Sequence, residues 1–217
     1  MNGFAIVWEN RQELFAGFLN TVLLSISAAV ISVILGVFVA AALMSRGRIL
    51  PRLAGLYVDT MRCVPFLLFA YFIYFGLPSA GLRLTNWSSG LLALTLYNIA
   101  YMAELLRAAW KGLPSETIEA GRAFGFHGAG LIRRIILPPV FFSAVPMIGN
   151  QTIQIVKDSA FLTIITVAEL THAATSIQTT YFVPFASFVS AIFLYWILCM
   201  TIELGVAAVG HVAHARR

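Results

Sequence analysis

The chain has 217 residues, of which 60% are hydrophobic and 11% are charged, and its formal net charge is +5. A soluble globular domain carries about 25% charged residues, so this composition excludes an ordinary soluble domain. The basic excess lies around apolar segments, where it indicates membrane orientation, and it gives no reason to expect a nucleic-acid partner.

Five apolar segments are long enough to cross a bilayer, which takes roughly 20 apolar residues in a helix. Segments in hydrocarbon must satisfy their own backbone hydrogen bonds, so we expect each of them to be helical. The sequence therefore predicts an all-α integral membrane protein with a single domain, residues 1–217. The predicted spans are residues 15–44, 53–77, 88–111, 135–156 and 184–209, and a polar loop occupies residues 112–134.

The N-terminal segment is not typical of a cleaved signal peptide. Glu9, Arg11 and Glu13 precede the first span, where a signal peptide has net positive charge, and the apolar run is longer than a secretory one. Cys63 and Cys199 both fall within predicted spans, so we expect them to act as small apolar side chains and not as a disulfide.

Basic residues are distributed unevenly between the two sides of the predicted spans, and they favour the cytoplasmic side. One side has only Arg11, Arg83 and Lys157. The other side, which we expect to be cytoplasmic, has Arg46, Arg48, Arg52, Arg107, Lys111, Arg122, Arg133, Arg134, Arg216 and Arg217. This distribution predicts an external N-terminus, a cytoplasmic C-terminus and a cytoplasmic polar loop.

The second predicted span contains two charged residues, Asp59 and Arg62, three positions apart on one helix face. Counted from Arg52 at about 1.5 Å per residue, Arg62 lies roughly 15 Å into the membrane, where ionisable residues are costly and therefore candidates for function. Either the two residues neutralise each other and fix helix packing, or Arg62 meets a carboxylate of a transported solute. Pro65 is expected to kink this helix and open backbone groups toward a cavity.

Two further sets of charges lie in the third and fifth predicted spans. Glu104 and Arg107 are three positions apart near the cytoplasmic end of their span, and we interpret them as a structural pair, with a gating role as the alternative. Glu203 has no local partner, so we expect it to reach the membrane interface or to pair with a loop arginine.

The polar loop 112–134 is predicted to contain a short helix. Ser115 is suited to the N-cap position, and Glu119 lies in an early turn, where the helix dipole favours an acidic side chain. Gly125 is suited to a left-handed C-cap, and Gly128 and Gly130 are expected to loosen the chain before the next span.

A helix of this length is unstable alone, because isolated helices in water need roughly 12–15 residues. We therefore expect the helix to dock on another surface. Ile118 and Phe124 would be its apolar anchors, and the small residues Ala120 and Gly121 would allow close approach. The alternative is a solvated loop that contains one helical turn.

The fourth predicted span contains prolines and a polar stripe. Asn150 and Gln154 share a helix face, which favours the lining of a water-filled route, with hydrogen bonding between helices as the alternative. Together with Asp158 they offer the donors and acceptors that a free amino acid needs. The segment includes Pro138, Pro139, Pro146, Asn150, Gln151, Thr152, Gln154, Lys157, Asp158 and Ser159.

No set of residues is typical of a catalytic or metal site, and we do not expect the chain to be an enzyme. His211 and His214 lie three positions apart without a third ligand nearby, and His127 is expected at solvent or at a partner surface. His172 has no assigned role, and its surrounding segment, residues 169–180, is predicted to be external and accessible to a binding protein.

The polar loop resembles the EAA loop of ABC importer permeases, whose pattern is E-A-A, three residues, G, nine residues, I, one residue, L-P. One position departs from it, because Gly121 replaces the usual alanine and weakens the helix by about 1 kcal/mol. The matching residues are Glu119, Ala120, Gly125, Ile135, Leu137 and Pro138.

Three other stretches extend the resemblance over roughly residues 18–205. Residues 57–65 resemble the family's Y-V-E-x-x-R-G-T-P, residues 100–107 its A-Y-x-A-E-x-x-R, and residues 157–161 its K-D-T-S-L. Together they are similar to the polar amino-acid branch, the histidine/glutamine/arginine-type permeases. Two positions depart from these patterns, since Cys63-Val64 replaces Gly-Thr and Ser159-Ala160 replaces Thr-Ser. These departures leave the resemblance to the family intact and concern the substrate.

The resemblance implies a type I ABC importer permease fold with five transmembrane helices and a short cytoplasmic coupling helix, in the plasma (inner) membrane of a bacterium. The partners it implies are a second permease, identical or homologous, two ATP-binding subunits, an external solute-binding protein and membrane lipid. ATP and Mg²⁺ would be bound by the partner ATPase and no cofactor by this chain. Indeed, neither Lys111 nor Lys157 follows a glycine, as a phosphate-binding loop requires.

The resemblance also suggests site residues. The ATPase would contact Glu119, Ala120, Gly121, Phe124 and Gly125, and alternating access would move a polar or charged amino acid along a route between two subunits. The alternatives are a stand-alone secondary transporter of small polar solutes, which would need ion-coupling acids and usually an internal repeat, and a membrane scaffold or sensor. The predicted route residues are Arg62, Pro65, Asn150, Gln154, Asp158 and Ser159.

Overall fold

The computed structural model describes residues 2–45 and 47–214, without the side chains of residues 210–214. Arg46, Arg216, Arg217 and the side chains of His211 and His214 lie outside this description, so the expectations that involve them stay predictions. The helices are α1 (Gly3–Glu9), α2 (Arg11–Leu43), α3 (Ile49–Cys63), α4 (Phe66–Ser79), α5 (Asn86–Lys111), α6 (Ser115–Ala123), α7 (Gly128–Ile165), α8 (Leu170–Tyr181) and α9 (Pro184–His214).

Four of these helices, α2, α5, α7 and α9, are each long and apolar enough to cross a membrane. Helices α3 and α4 pass the same test only as a pair, and they are bent by 108° where they meet. The expectation of an all-α membrane protein is confirmed, with four spans in the described residues, or five if the bent pair counts as one.

The second predicted span, residues 53–77, is wrong as a continuous helix. Helix α3 ends at Cys63, Val64 is extended at φ −90° and ψ 134°, and α4 begins at Phe66. Pro65 causes the break, because its ring disfavours a helical conformation in the preceding residue and its nitrogen has no hydrogen to donate. The kink expected at Pro65 is therefore a full interruption of the helix.

Helix α7 begins earlier and is more regular than the sequence suggested. It starts at Gly128, so the chain re-enters the membrane as a helix and not as the loose segment expected around Gly130. A π-helical turn over Ile132–Ile136 precedes two prolines at the start of the next α-helical part, Leu137–Ser159, which continues through Pro146. Helices in membranes tolerate proline because neighbouring groups satisfy the freed backbone.

Small residues set the distances between the long helices. A Cβ atom built on Gly36 of α2 would lie 2.9 Å from the Met102 Cβ atom of α5, and one built on Gly149 of α7 would lie 2.3 Å from a Val206 methyl group of α9. Both distances are shorter than any ordinary carbon contact, so these helices cross with their backbones close together, as is common in membranes. The polar stripe of α7 is thereby held against the rest of the chain.

The segment predicted to be external, residues 169–180, is a helix, α8, that packs on α2 and α9. Glu169 at its start is fully buried and accepts hydrogen bonds from the backbone N–H groups of Thr171, at 2.8 Å, and His172, at 2.7 Å. The Tyr195 hydroxyl of α9 donates to the same carboxylate at 2.7 Å. Burial raises the pKa of Glu169 above its usual value, although these donors oppose the shift.

Candidate functional site

A cavity of about 500 Å³ opens beside the break between α3 and α4. The start of α4 contributes Pro65, α5 contributes Tyr97 and Tyr101, and α7 contributes Gln154 and Asp158. Aromatic rings form part of the wall of this cavity. It combines an apolar wall with a few polar groups, which is the usual constitution of a small-molecule site.

Tyr97 stabilises the helix break from which the cavity arises. Its hydroxyl donates a hydrogen bond to the Val64 carbonyl at 3.1 Å, and so supplies a partner for a backbone group next to the interruption. The same hydroxyl lies 3.3 Å from that of Tyr101, one turn further along α5. The Tyr97 ring meets the Phe66 ring edge to face, with centroids 5.2 Å apart, a favourable arrangement for two aromatic rings.

The polar stripe of α7 supplies the charge of the cavity. Asp158 is only 6% exposed, and the Gln154 side-chain amide donates to one of its carboxylate oxygens at 2.8 Å. Gln151 donates to the Asn98 side-chain oxygen at 2.7 Å, which ties α7 to α5. Within the part of the chain described, no Lys or Arg forms an ion pair with Asp158. Its carboxylate is therefore an acceptor for a cation that enters the cavity.

The predicted route residues divide into three groups. Pro65, Gln154 and Asp158 line the cavity. Arg62 and Asn150 are instead exposed on the surface of the single chain, outside the cavity lining. The sixth residue, Ser159, is fully buried and its hydroxyl donates to the backbone carbonyl of Val156 at 2.8 Å, so its hydrogen-bonding capacity is used within α7.

Tyr97, Tyr101 and Gln151 were missed as candidate site residues. The two tyrosines are four positions apart and thus on one face of α5, but an aromatic pair in an apolar span is equally typical of a lipid-facing or core position. Gln151 belongs to the polar run after Pro146, but the sequence does not show that its side chain faces α5, because it does not show that α5 lies beside α7. Periodicity within one helix does not identify the facing helix.

The intramembrane charges behave differently from one another. Glu104 and Arg107 form a two-pronged ion pair, with the Arg107 Nε atom 2.7 Å from a Glu104 oxygen, as their spacing suggested. Asp59 and Arg62 are both exposed, and they form no ion pair within 4.0 Å, so the single chain does not support the alternative in which they neutralise each other. Glu203 is exposed as well and, among the residues described, has no ion-pair partner.

Helix α6 lies within the polar loop and ends in a tight glycine stop. Gly125 has a left-handed backbone, φ +82°, and its N–H donates to the Arg122 carbonyl at 2.9 Å. The Phe126 N–H donates to the Gly121 carbonyl at 3.0 Å, which completes a Schellman motif. Gly125 thus terminates the helix as expected, whereas the N-cap is Pro114 and not Ser115, without a side-chain cap.

One face of α6 packs on the chain itself. Gly121 is buried, and a Cβ atom built on it would lie 2.8 Å from a Leu131 methyl group and 3.1 Å from one of Ile135. Ile118 packs into the same apolar cluster at the N-terminal end of α7. Gly121 and Ile118 therefore hold α6 against α7 and are not on its exposed face, which corrects the contact roles expected for them.

The opposite face of α6 is uncovered in the single chain. Glu119 and Ala120 are exposed there, and Phe124 is 83% exposed just before the glycine stop. A large aromatic side chain in a polar segment is unfavourable in water unless another surface covers it. We call Glu119, Ala120, Phe124 and Gly125 the coupling face.

Comparison with known proteins gives one family. Residues 32–211 match the family described as "Binding-protein-dependent transport system inner membrane component". The chain is 33% identical over 202 residues to the probable glutamine ABC transporter permease protein GlnM of Bacillus subtilis, covering 93% of this chain and 94% of the relative. It is 30% identical over 208 residues to the L-cystine transport system permease protein TcyB of the same organism, covering 93% and 89%.

A solved structure gives the same result for the fold. The chain superposes on one titled "Crystal structure of an amino acid ABC transporter with histidines" with a TM-score of 0.90, at 27% sequence identity. The superposition covers 96% of this chain and 97% of the other. The overall arrangement of helices is therefore one that this chain shares with another protein.

Proposed function

The chain belongs to the family of binding-protein-dependent transport system inner membrane components, and on that premise we propose that it is the permease subunit of an ATP-driven importer of polar or charged amino acids. The relatives described as permeases for glutamine and L-cystine support this substrate class. Because the likeness to ABC permeases covers nearly the whole chain, a stand-alone secondary transporter is the weaker interpretation.

The cavity beside the helix break is the proposed solute site of this subunit. Asp158 is a buried carboxylate with one oxygen engaged by Gln154, so it can accept the ammonium group of an amino acid. Among the residues with described positions, no Lys or Arg belongs to the cavity lining. A neutral or cationic amino acid is therefore favoured over an acidic one, since an acidic side chain would face Asp158 without a compensating cation.

A second permease subunit, identical or homologous, would complete the route. Arg62 and Asn150 are exposed on the single chain, although polar and charged side chains within a membrane usually face protein or water. We assign them to the part of the route between the two subunits, where Arg62 is available for the solute's carboxylate. A homodimer would place two such cavities around one two-fold axis.

Two ATP-binding subunits would dock on the coupling faces of the two permeases. Phe124 offers the ATPase an apolar side chain to bind. On the opposite face of α6, Gly121 and Ile118 pack on α7. A movement of α6 is therefore transmitted to α7, the helix that contains Asp158. ATP and Mg²⁺ would be held by those subunits. Alternating access then follows if ATP-driven closure of the ATPases favours one of two arrangements of the permeases.

The remaining assignments concern the membrane. We propose that the chain lies in the bacterial inner membrane with its N-terminus outside and its C-terminus in the cytoplasm, as the distribution of basic residues favours. A solute-binding protein would deliver the amino acid from the outer side. The structural pair Glu104–Arg107 would lie near the cytoplasmic end of the route.

The observation that carries this proposal is the uncovered coupling face on a helix that is itself packed on α7. We would test it with Glu119→Lys in cells that contain the complete transporter, with Glu9→Lys, at an exposed position in α1, as the matched charge reversal. We expect Glu119→Lys to abolish uptake and to prevent co-purification of the ATPase, while Glu9→Lys retains most of both. Normal uptake in Glu119→Lys would contradict the coupling role.

A further inference from the structure

A second cavity, of about 480 Å³, lies where α7 begins, apart from the solute cavity and from the coupling face. Its lining consists of Phe126, Ala129, Gly130, Arg133 and Arg134. Two arginine residues thus line one concave surface, together with the small residues Ala129 and Gly130. The positive-inside rule accounts for the side of the membrane on which arginines lie, but not for two of them converging on one cavity.

Among the residues that the structure describes, neither arginine has an anionic partner. The one ion pair among the described residues joins Glu104 to Arg107, and no acidic side chain lines this cavity. The arginine side-chain hydrogen bonds of the described residues come from Arg11 and Arg107. Adjacent cations repel each other, so an anion that bridges Arg133 and Arg134 would relieve the repulsion and accept charge-assisted hydrogen bonds.

The cavity continues into an apolar strip on α7. Leu137 is 48% exposed and Phe141 is 56% exposed. They follow Arg133 at intervals of four residues, which places the three side chains near one face of the helix. The turn that carries the arginines, Ile132–Ile136, leads directly into the apolar part of a helix long enough to span the membrane. Arg133 and Arg134 therefore lie on the turn directly before the apolar part of this helix.

We propose that Arg133 and Arg134 bind the phosphate of an anionic phospholipid in the cytoplasmic leaflet, with one acyl chain along Leu137 and Phe141. Basic pockets at the cytoplasmic ends of spans have the chemistry for such headgroups. An acidic protein surface is a worse match, because it would leave the apolar strip below the cavity without an occupant. Since α6 packs on this end of α7, the bound lipid would stabilise the contact between α7 and α6, the helix that presents the coupling face.

The test is native mass spectrometry of the purified full-length chain, titrated with phosphatidylglycerol and with phosphatidylcholine of the same acyl chains. Each basic residue near an anionic headgroup gives about a fivefold preference. We therefore expect the unaltered chain to retain phosphatidylglycerol roughly 30-fold better than phosphatidylcholine. Arg133→Gln combined with Arg134→Gln should remove this preference, and each single change should reduce it about fivefold.

The matched control is Arg48→Gln combined with Arg52→Gln, which removes the same charge before and within α3. It should keep the preference for phosphatidylglycerol, and an equal loss there would overturn the proposal in favour of a general charge effect. Unchanged retention by the variants of Arg133 and Arg134 would also overturn it. In two further arms, the unaltered chain would be given inorganic phosphate alone, and the Arg133 and Arg134 variants would be tested for co-purification of the ATPase. Binding of inorganic phosphate without a preference for phosphatidylglycerol would indicate a free-anion site, and loss of ATPase co-purification with unchanged lipid retention would indicate a protein contact; either result refutes the lipid site.

Discussion

The close packing of α7 on α9 can be tested by adding one methyl group at Gly149, where the two helices cross. In Gly149→Ala the new Cβ atom would lie 2.3 Å from one Val206 methyl carbon, 3.1 Å from the other and 3.2 Å from the Val206 Cβ atom. Rotation of the valine cannot relieve all three contacts, because its Cβ atom does not move. The two helices must separate instead, which displaces the stripe that includes Gln151 and Asp158.

The magnitude follows from two opposing terms. Overpacking costs about 1–3 kcal/mol, and the contact at 2.3 Å argues for the upper part of that range. Replacement of glycine by alanine in a helix recovers up to about 1 kcal/mol. We therefore expect Gly149→Ala to lower the free energy of unfolding by about 1–2 kcal/mol. The matched change Gly55→Ala has no atom within 4 Å of the new methyl group, so it should be neutral or stabilising.

The assay is thermal unfolding of the purified chain in detergent, combined with uptake in cells. Gly149→Ala should melt at a lower temperature than Gly55→Ala and should transport more slowly, because Asp158 moves relative to the cavity. Val206→Ala in the same chain should restore both, since it removes the two methyl carbons that clash. If Gly149→Ala were as stable as Gly55→Ala, the crossing of α7 and α9 described above would be incorrect.

Three further predictions concern the polar groups. Asp158→Asn should slow uptake by about 10- to 100-fold, since a charge-assisted contact contributes about 1.5–3 kcal/mol, while the melting temperature changes little; equal uptake would remove Asp158 from the solute site. Tyr97→Phe should destabilise the chain by about 1–3 kcal/mol because the Val64 carbonyl loses a donor, and calorimetry in detergent measures it. Burial raises the pKa of Glu169 above 4.5, so the folded chain binds a proton at this carboxylate more tightly than the unfolded chain does. The free energy of unfolding therefore falls as pH rises from about 4.5 through the raised pKa. Glu169→Gln should abolish this pH dependence in melting curves recorded at several pH values.

Much of the architecture could be predicted from local signals. Apolar runs of sufficient length identify spanning helices because the bilayer has a fixed thickness. The interruption at Pro65 and the stop at Gly125 follow from the conformational limits of single residues, so they too could be located without a structure. The size of the bend between α3 and α4, 108°, could not be predicted from the sequence, because it depends on the residues that pack around it.

The site was predicted only in part, and for a physical reason. Gln154 and Asp158 were found because they are costly in a membrane unless they serve a purpose. Tyr97 was missed, since its hydroxyl has a visible role only when the Val64 carbonyl of another helix lies 3.1 Å away. Gly121 was assigned to the wrong face of α6, because one short helix does not reveal which side its own chain covers.

The claim that a separate ATPase covers the coupling face can be measured directly at Phe124. A chain with Cys63 and Cys199 replaced by alanine and with Phe124→Cys would be purified in detergent, where both sides of the protein are accessible, and labelled with a maleimide, with and without the ATPase subunit. Arg83→Cys, in the turn between α4 and α5, is the control that should label equally in both. Our account predicts strong protection at position 124 by the ATPase; labelling at the same rate in its presence would contradict it.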